Sequence, residues 1–170
     1  FMLKSYKNSK ENFHLPKILD LPKNKKIIVY ASEPQPTGKV NFPGEELLVK
    51  TIKINAKMLI DSFNETRLKT KDLYLIIKKH PTENTEFLGS IFDEEIPNIR
   101  IVYNIDPLKL ILNSDLVLGM TSMFLLEAKA LGKKVACLYG ASSFYEKAMF
   151  NGKIKVIKNK TNLKKLMLSL

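Results

Sequence analysis

Short apolar runs of strand length alternate along the chain with stretches that have helical periodicity. Runs of four to six residues that are mostly β-branched or leucine predict strands buried on both faces of a sheet. Six such runs are present, at 27–31, 73–77, 99–103, 115–118, 134–138 and 154–157. Because each is too short for a stable isolated helix, we predict six strands.

The segments between the strands predict helices. A long helix begins at Glu45-Glu46, where acidic residues suit the positive end of the helix dipole, after a loop rich in proline and glycine. Further helices are predicted at 107–113, 122–131, around 143–149 and from 161 onward. Gly132 is expected to end the helix at 122–131 in the left-handed conformation.

The alternation of strands and helices predicts an α/β fold. We expect a Rossmann-like three-layer sandwich of about six mostly parallel strands, with helices on both faces. Right-handed crossovers place the carboxyl ends of parallel strands at one edge of the sheet, and ligands bind there at the topological switch point. The residues that directly follow each strand are therefore the candidates for a functional site.

Composition narrows the protein class. The chain has 170 residues, of which 45% are hydrophobic, enough for one domain with a substantial core. A single cysteine, Cys137, excludes an internally disulfide-bonded scaffold. No apolar run approaches the ~20 residues that a membrane-spanning helix requires. One cysteine and two histidines far apart in sequence predict no metal site.

The net charge of +11 comes from the two ends of the chain. Residues 1–26 hold seven lysines against two acids, and residues 153–170 hold six lysines and no acid. These lysines are either ordinary solvated residues or a surface for anionic lipids or an acidic polymer. Only two arginines and no tryptophan are present, which argues against nucleic-acid binding.

One candidate site follows the fourth predicted strand. Gly119 allows a ligand to approach the backbone, and Thr121 and Ser122 add hydroxyls to the amides of a helix start, a combination that suits a phosphate. Glu127, on the same helix, could accept hydrogen bonds from a ribose. The alternative is that Ser122 only caps the helix and Glu127 is an ordinary exposed residue.

A second candidate follows the second predicted strand. His80 is held at the strand end by Pro81, where it can donate a hydrogen bond to a phosphate oxygen. The alternative is an ordinary surface or core histidine. The turn after the first strand lacks the glycine-rich dinucleotide fingerprint, and neither a P-loop nor a Gly-x-Ser-x-Gly elbow occurs, which counts against NAD enzymes, ATPases and hydrolases.

Residues 113–135, NSDLVLGMTSMFLLEAKALGKKV, resemble the donor-binding half of GT-B-fold glycosyltransferases of bacterial surface-polysaccharide synthesis. The sequence Lys79-His80-Pro81 resembles the His-Pro motif of bacterial sialyl- and polysialyltransferases and of teichoic-acid glycerophosphotransferases. The resemblance runs from about residue 27 to residue 160. It implies a donor-binding domain at 27–170, preceded by a basic interdomain linker at 1–26.

The resemblance also implies roles for individual residues. Thr121 and Ser122 would bind the nucleotide phosphate, Glu127 the ribose, and His80 the phosphate and the leaving group as an acid. Ser32 and Glu33 would face the cleft between the two domains.

A nucleotide-sugar donor would be the substrate, with no metal or other cofactor. The glycan or glycolipid acceptor would bind the N-terminal domain that this chain lacks. The chain alone is therefore expected to bind nucleotide without catalysing transfer. The resemblance implies a bacterial enzyme of capsule or lipopolysaccharide synthesis. Its expected location is the cytoplasm, either free or in peripheral contact with the inner face of the membrane through its basic termini.

Two other functions remain open from the sequence. A nucleotide-sugar 2-epimerase shares the Glu-Ala turn and would release free UDP and an epimerised sugar without an acceptor. A non-catalytic docking module would bind anionic membranes or polymers through its basic ends.

Overall fold

The structure is a computed structural model that describes residues 24–33, 45–83, 85–92, 95–138 and 153–170. The predicted helix around 143–149 and nearly all of the predicted linker lie outside these residues. The strands are β1 Lys26–Ala31, β2 Leu73–Lys78, β3 Ile99–Val102, β4 Leu116–Gly119, β5 Lys134–Leu138 and β6 Lys155–Ile157. The helices are α1 Glu45–Thr70, α2 Thr85–Ile91, α3 Pro107–Asn113, α4 Met123–Ala130 and α5 Lys160–Leu168.

The six strands form one parallel sheet in the order β3-β2-β1-β4-β5-β6. Val29 at the centre of β1 pairs with Ile76 of β2 on one side and Val117 of β4 on the other. The chain runs outward from β1 through β2 to β3, then returns to the other side of β1 and continues from β4 to β6. The sheet therefore has its topological switch point between β1 and β4, and the predicted α/β fold is confirmed.

Alternate residues of the strands enter two separate hydrophobic cores. Ile28 and Tyr30 lie in the core on the face covered by α1, α2 and α5. Val29 and Ala31 lie in the core on the opposite face, which α3 and α4 cover. Helices on both faces explain why the central strands carry no charged residue between their ends, because both sides of each strand are buried there.

Helix α2 was not predicted from the sequence. Its seven residues bury only Leu88, and Phe92 just beyond its end is the other buried apolar residue. The apolar residues Phe87, Leu88, Ile91 and Phe92 have helical spacing, but they cover less than two turns, and so short a helix depends on packing for its stability.

The predicted end of α4 is confirmed. Gly132 has a φ of +74° and its N–H donates to the carbonyl of Lys129 at 3.0 Å. This left-handed residue stops the helix and turns the chain into β5. None of the helices in the described ranges combines the length and apolarity needed to cross a membrane.

Candidate functional site

The carboxyl ends of three adjacent strands bring the predicted site residues together. Strands β2, β1 and β4 lie side by side at the switch point, and each is followed by residues that the sequence analysis singled out. Ser32 and Glu33 follow β1, the segment 79–83 follows β2, and the segment 120–122 leads from β4 into α4. The site is thus built from segments separated by about 40 residues or more.

The carboxylate of Glu33 binds the turn between β4 and α4. Its Oε1 accepts hydrogen bonds from the N–H groups of Met120 at 3.2 Å and Thr121 at 2.9 Å. Its Oε2 accepts from Thr121 Oγ1 at 3.0 Å. In this structure, the amide and hydroxyl of Thr121 predicted to bind a phosphate contact the protein's own carboxylate. The turn therefore binds an anion, and that anion is Glu33.

Burial and hydrogen bonding have opposite effects on the pKa of the Glu33 carboxyl. The side chain is only 6% exposed, and burial raises the pKa of its carboxyl above the usual range. Hydrogen bonds from Thr121, Met120 and Ser122 lower the same pKa but do not cancel the effect of burial. Protonation of Glu33 is consequently easier than that of an exposed glutamate.

Gly119 is buried at the end of β4. A Cβ added to it would lie 3.4 Å from the carbonyl oxygen of Ala31 and 3.4 Å from Leu125 Cδ2. Its missing side chain therefore faces β1 and α4. The close approach of a ligand to the Gly119 backbone remains a prediction, while close packing of β4 against α4 accounts for a small residue at this position.

Ser122 caps α4. Its Oγ accepts from the N–H of Phe124 at 3.2 Å, and its carbonyl accepts from the N–H of Leu125 at 3.0 Å. The capping interpretation of Ser122 is therefore correct. Capping uses the hydroxyl oxygen as an acceptor, so the O–H of this half-buried residue can still donate to a phosphate.

Glu127 is exposed on α4 and interacts with a lysine at the end of β2. Burial lowers the pKa of the Lys78 ammonium, and the negative charge of Glu127 opposes this shift. Lys78 Nζ lies 5.7 Å from the centre of the Phe124 ring, which places it over the first turn of α4. Glu127 thus belongs to the same edge of the sheet as the other candidate residues.

Sequence analysis missed Glu83, which closes the turn after β2. Its Oε2 accepts hydrogen bonds from Ser32 Oγ and, at 3.2 Å, from the N–H of His80. The N–H of His80 also donates to Ser32 Oγ at 3.0 Å, and Ser32 Oγ lies 3.0 Å from the carbonyl of Lys78. Ser32 and Glu83 therefore fix the backbone of His80. An acid three residues after His80, in the short turn that follows β2, was the available signal.

The tautomer of His80 follows from its contacts with Thr82. His80 Nδ1 accepts from the N–H of Thr82 at 3.3 Å and lies 2.9 Å from Thr82 Oγ1. Because Nδ1 is the acceptor, the proton of the neutral ring is on Nε2. Burial, followed by the positive charges of Lys78 and Lys79, lowers the pKa of His80 below 6.5. At neutral pH the ring is uncharged and presents one Nε2–H donor.

Comparisons with known proteins support the fold. No protein-family model and no curated protein sequence matches the chain. Solved structures do match. They include the wall teichoic acid polymerase TagF, with a TM-score of 0.63, 15% identity, and coverage of 98% of this chain and 39% of that one.

Two more matches belong to different enzymes. The UDP-GlcNAc 2-epimerase of Methanocaldococcus jannaschii, in complex with UDP-GlcNAc and UDP, matches with a TM-score of 0.60, 17% identity, and coverage of 99% of this chain and 45% of that one. The ADP-heptose LPS heptosyltransferase II of E. coli matches with a TM-score of 0.52, 18% identity and coverage of 84% and 41%.

The chain spans less than half the length of the structures that it matches. It corresponds to one half of enzymes with the GT-B fold. At these identities the likeness establishes the fold, which transferases and epimerases share.

Proposed function

We propose that this chain is the donor-nucleotide-binding half of a GT-B-fold glycosyltransferase that transfers a sugar from a nucleotide-sugar to a surface glycan. The supporting observation is the convergence at the switch point of a cap hydroxyl, an Nε2–H donor and an exposed carboxylate, from Ser122, His80 and Glu127 respectively. Parallel α/β sheets bind ligands at this location. Residues 27–170 would form this domain, with 1–26 as the linker to an acceptor-binding half.

The phosphate and the ribose of a nucleotide each have a matching group at this edge. The O–H of Ser122 and the Nε2–H of His80 would donate to phosphate oxygens, and the carboxylate of Glu127 would accept from the ribose hydroxyls. Thr121 would take part in phosphate binding only when the carboxylate of Glu33 leaves its amide. Otherwise Thr121 holds the turn in place through Glu33.

The proposed chemistry requires stabilisation of negative charge on the departing phosphate. As the bond to the sugar breaks, charge develops on the phosphate oxygen, and a fixed donor at that position lowers the barrier without reorganising. The neutral ring of His80 supplies such a donor through Nε2–H. To act as an acid as well, the ring would first take a proton from solvent at Nδ1, in place of the hydrogen bond from Thr82, and would then transfer its Nε2 proton to the phosphate oxygen and return to the neutral state.

The acceptor side of the reaction is assigned to the other half of the protein. The glycan or glycolipid acceptor would bind there, and this chain alone would bind nucleotide without catalysing transfer. The proposed location is the cytoplasm, with the protein either free or in peripheral contact with anionic lipids of the inner membrane face through its basic termini.

A nucleotide-sugar 2-epimerase is the second candidate, because the structures that match this chain include such enzymes, among them one in complex with UDP-GlcNAc and UDP. The complete protein would then release UDP and an epimerised sugar in the absence of any acceptor. A transferase would require an acceptor for efficient turnover. Product analysis of UDP-sugars with and without a glycan acceptor separates the two functions.

Thermal unfolding of the protein with UDP, CDP, GDP and CMP tests nucleotide binding. A ligand at 100 times its dissociation constant adds ~2.7 kcal/mol to the free energy of unfolding, which raises the midpoint by about 5–10 °C. We expect one of the four nucleotides to produce such a shift and the matched nucleoside to produce a much smaller one. If none of the four nucleotides at millimolar concentration raises the unfolding midpoint above that of the protein alone, the result would contradict the proposed function.

A further inference from the structure

A nucleotide phosphate at this edge needs a positive charge that the previously predicted residues do not supply. His80 is neutral at pH 7, and the main-chain donors of Met120 and Thr121 already bind the carboxylate of Glu33. Glu33 and Glu127 also add negative charge nearby. Binding a di-anionic group next to these carboxylates is unfavourable unless a cation lies in contact with it.

Lys78 has the position that such a cation requires. It is the last residue of β2 and pairs with Ala31 of β1, two residues before Glu33. Its ammonium lies over the Phe124 ring at the start of α4, and it acts electrostatically on both Glu127 and His80. The cation therefore lies at the start of α4, the helix that carries Ser122 as its cap and Glu127.

Within the part of the chain that the structure describes, the hydrogen-bonding capacity of Lys78 is almost unused. Its Nζ lies 3.5 Å from the carbonyl of Lys79, at the outer limit for a hydrogen bond. Among the described residues, it forms no ion pair within 4 Å. Burial lowers the pKa of this half-buried ammonium, which shows that its charge is incompletely solvated. An anion with several oxygens would satisfy the ammonium.

Lys79 offers a natural comparison. It is adjacent in sequence and carries the same charge, and it also lowers the pKa of His80. Its ammonium lies 5.9 Å from the centre of the Tyr103 ring, just beyond β3 and away from α4. The two lysines therefore have similar electrostatic effects on His80, but their ammonium groups lie over different aromatic rings.

We propose that Lys78 is the cationic phosphate-binding residue of this site. The proposal rests on the function proposed above and adds a binding residue to it. The phosphate would accept charge-assisted hydrogen bonds from Nζ, while the carboxylate of Glu127 would exchange its attraction to Lys78 for hydrogen bonds from the ribose hydroxyls.

The test compares Lys78→Met with Lys79→Met by calorimetric titration of UDP, CDP and GDP and of the matched nucleosides. Methionine keeps much of the apolar stem that packs over Phe124. A charge-assisted hydrogen bond contributes ~1.5–3 kcal/mol, so Lys78→Met should weaken nucleoside diphosphate binding by about 10- to 100-fold. Lys79→Met should weaken it less than about threefold, and neither variant should change nucleoside affinity. Lys78→Arg should retain most of the diphosphate affinity.

Several results would overturn the proposal. Equal losses in the two methionine variants would indicate a general field effect. An equal loss of nucleoside binding would indicate a structural role for the lysine stem, and unchanged diphosphate binding would exclude a phosphate contact. If Lys78→Met does not fold, Lys78→Gln and Lys78→Arg provide the same comparison. A wild-type protein that binds no nucleotide overturns the proposed function itself, which separates that failure from failure of the Lys78 assignment.

Discussion

If the proposed transfer reaction is correct, replacement of His80 by alanine is expected to lower turnover of the complete protein by about 10²–10³-fold. Loss of one fixed donor to a developing oxyanion typically costs ~2.7–4 kcal/mol of barrier. The free energy of unfolding should fall by less than about 1 kcal/mol, because the described hydrogen bonds of this half-buried ring go only to Thr82. Steady-state kinetics and urea unfolding of the same variant measure the two quantities.

Two further variants make this prediction specific. His14→Ala removes the other histidine of the chain and should leave turnover unchanged. His80→Asn retains an N–H donor but no titrating group. It should recover part of the lost rate if donation is the main contribution and none if proton transfer dominates. Turnover of His80→Ala equal to that of the wild type would return His80 to the class of ordinary surface histidines.

Two substitutions of Glu33 separate its hydrogen bonds, which affect stability, from its charge, which affects nucleotide affinity. Glu33→Ala leaves the buried N–H of Met120 and the N–H and hydroxyl of Thr121 without their acceptor, and should cost ~2–3 kcal/mol of stability. Glu33→Gln can keep every bond, because its oxygen accepts from both amides and its NH₂ group donates to Thr121 Oγ1. With the negative charge removed, this variant should bind a nucleoside diphosphate about 3- to 10-fold more tightly than wild type.

The pH dependence of the free energy of unfolding tests whether the pKa of Glu33 is raised. Its pKa is raised above 4.5 in the folded protein, so the unfolded chain loses this proton first as the pH rises. The contribution of Glu33 is fully present below pH 4.5 and is lost as the pH rises through the folded-state pKa. Glu33→Gln should therefore gain stability relative to wild type between pH 4 and pH 7. If the wild type instead becomes more stable relative to Glu33→Gln over this pH range, the result would contradict the conclusion that burial raises the pKa of Glu33.

The sheet could be predicted because its strands are buried on both faces. The short length of the runs at 27–31 and 134–138 favours strands over helices, and the crossover rule then places His80, Ser122 and Glu127 at one edge. The predicted edge is confirmed as the place where these residues lie, while their roles in binding and catalysis remain predictions.

The side-chain contacts within the site could not be predicted. Glu33 binds the backbone of Met120 and Thr121, and no sequence pattern predicted this contact. Ser32 contacts Glu83, which no motif identified. These contacts join segments that are about 50 to 90 residues apart in sequence. They depend on which way each loop turns after its strand, and hydrophobic periodicity carries no information about that direction.

Amide chemical shifts during a nucleotide titration test the central claim most directly. The claim is that the edge formed by the carboxyl ends of β2, β1 and β4 binds the phosphate and ribose of a nucleotide. Spectra of the ¹⁵N-labelled protein with UDP, CDP, GDP and CMP should show saturable shifts at 32–33, 78–83 and 119–127 for at least one nucleotide. Saturable shifts confined to other surfaces, or none with any of the four, would contradict the claim.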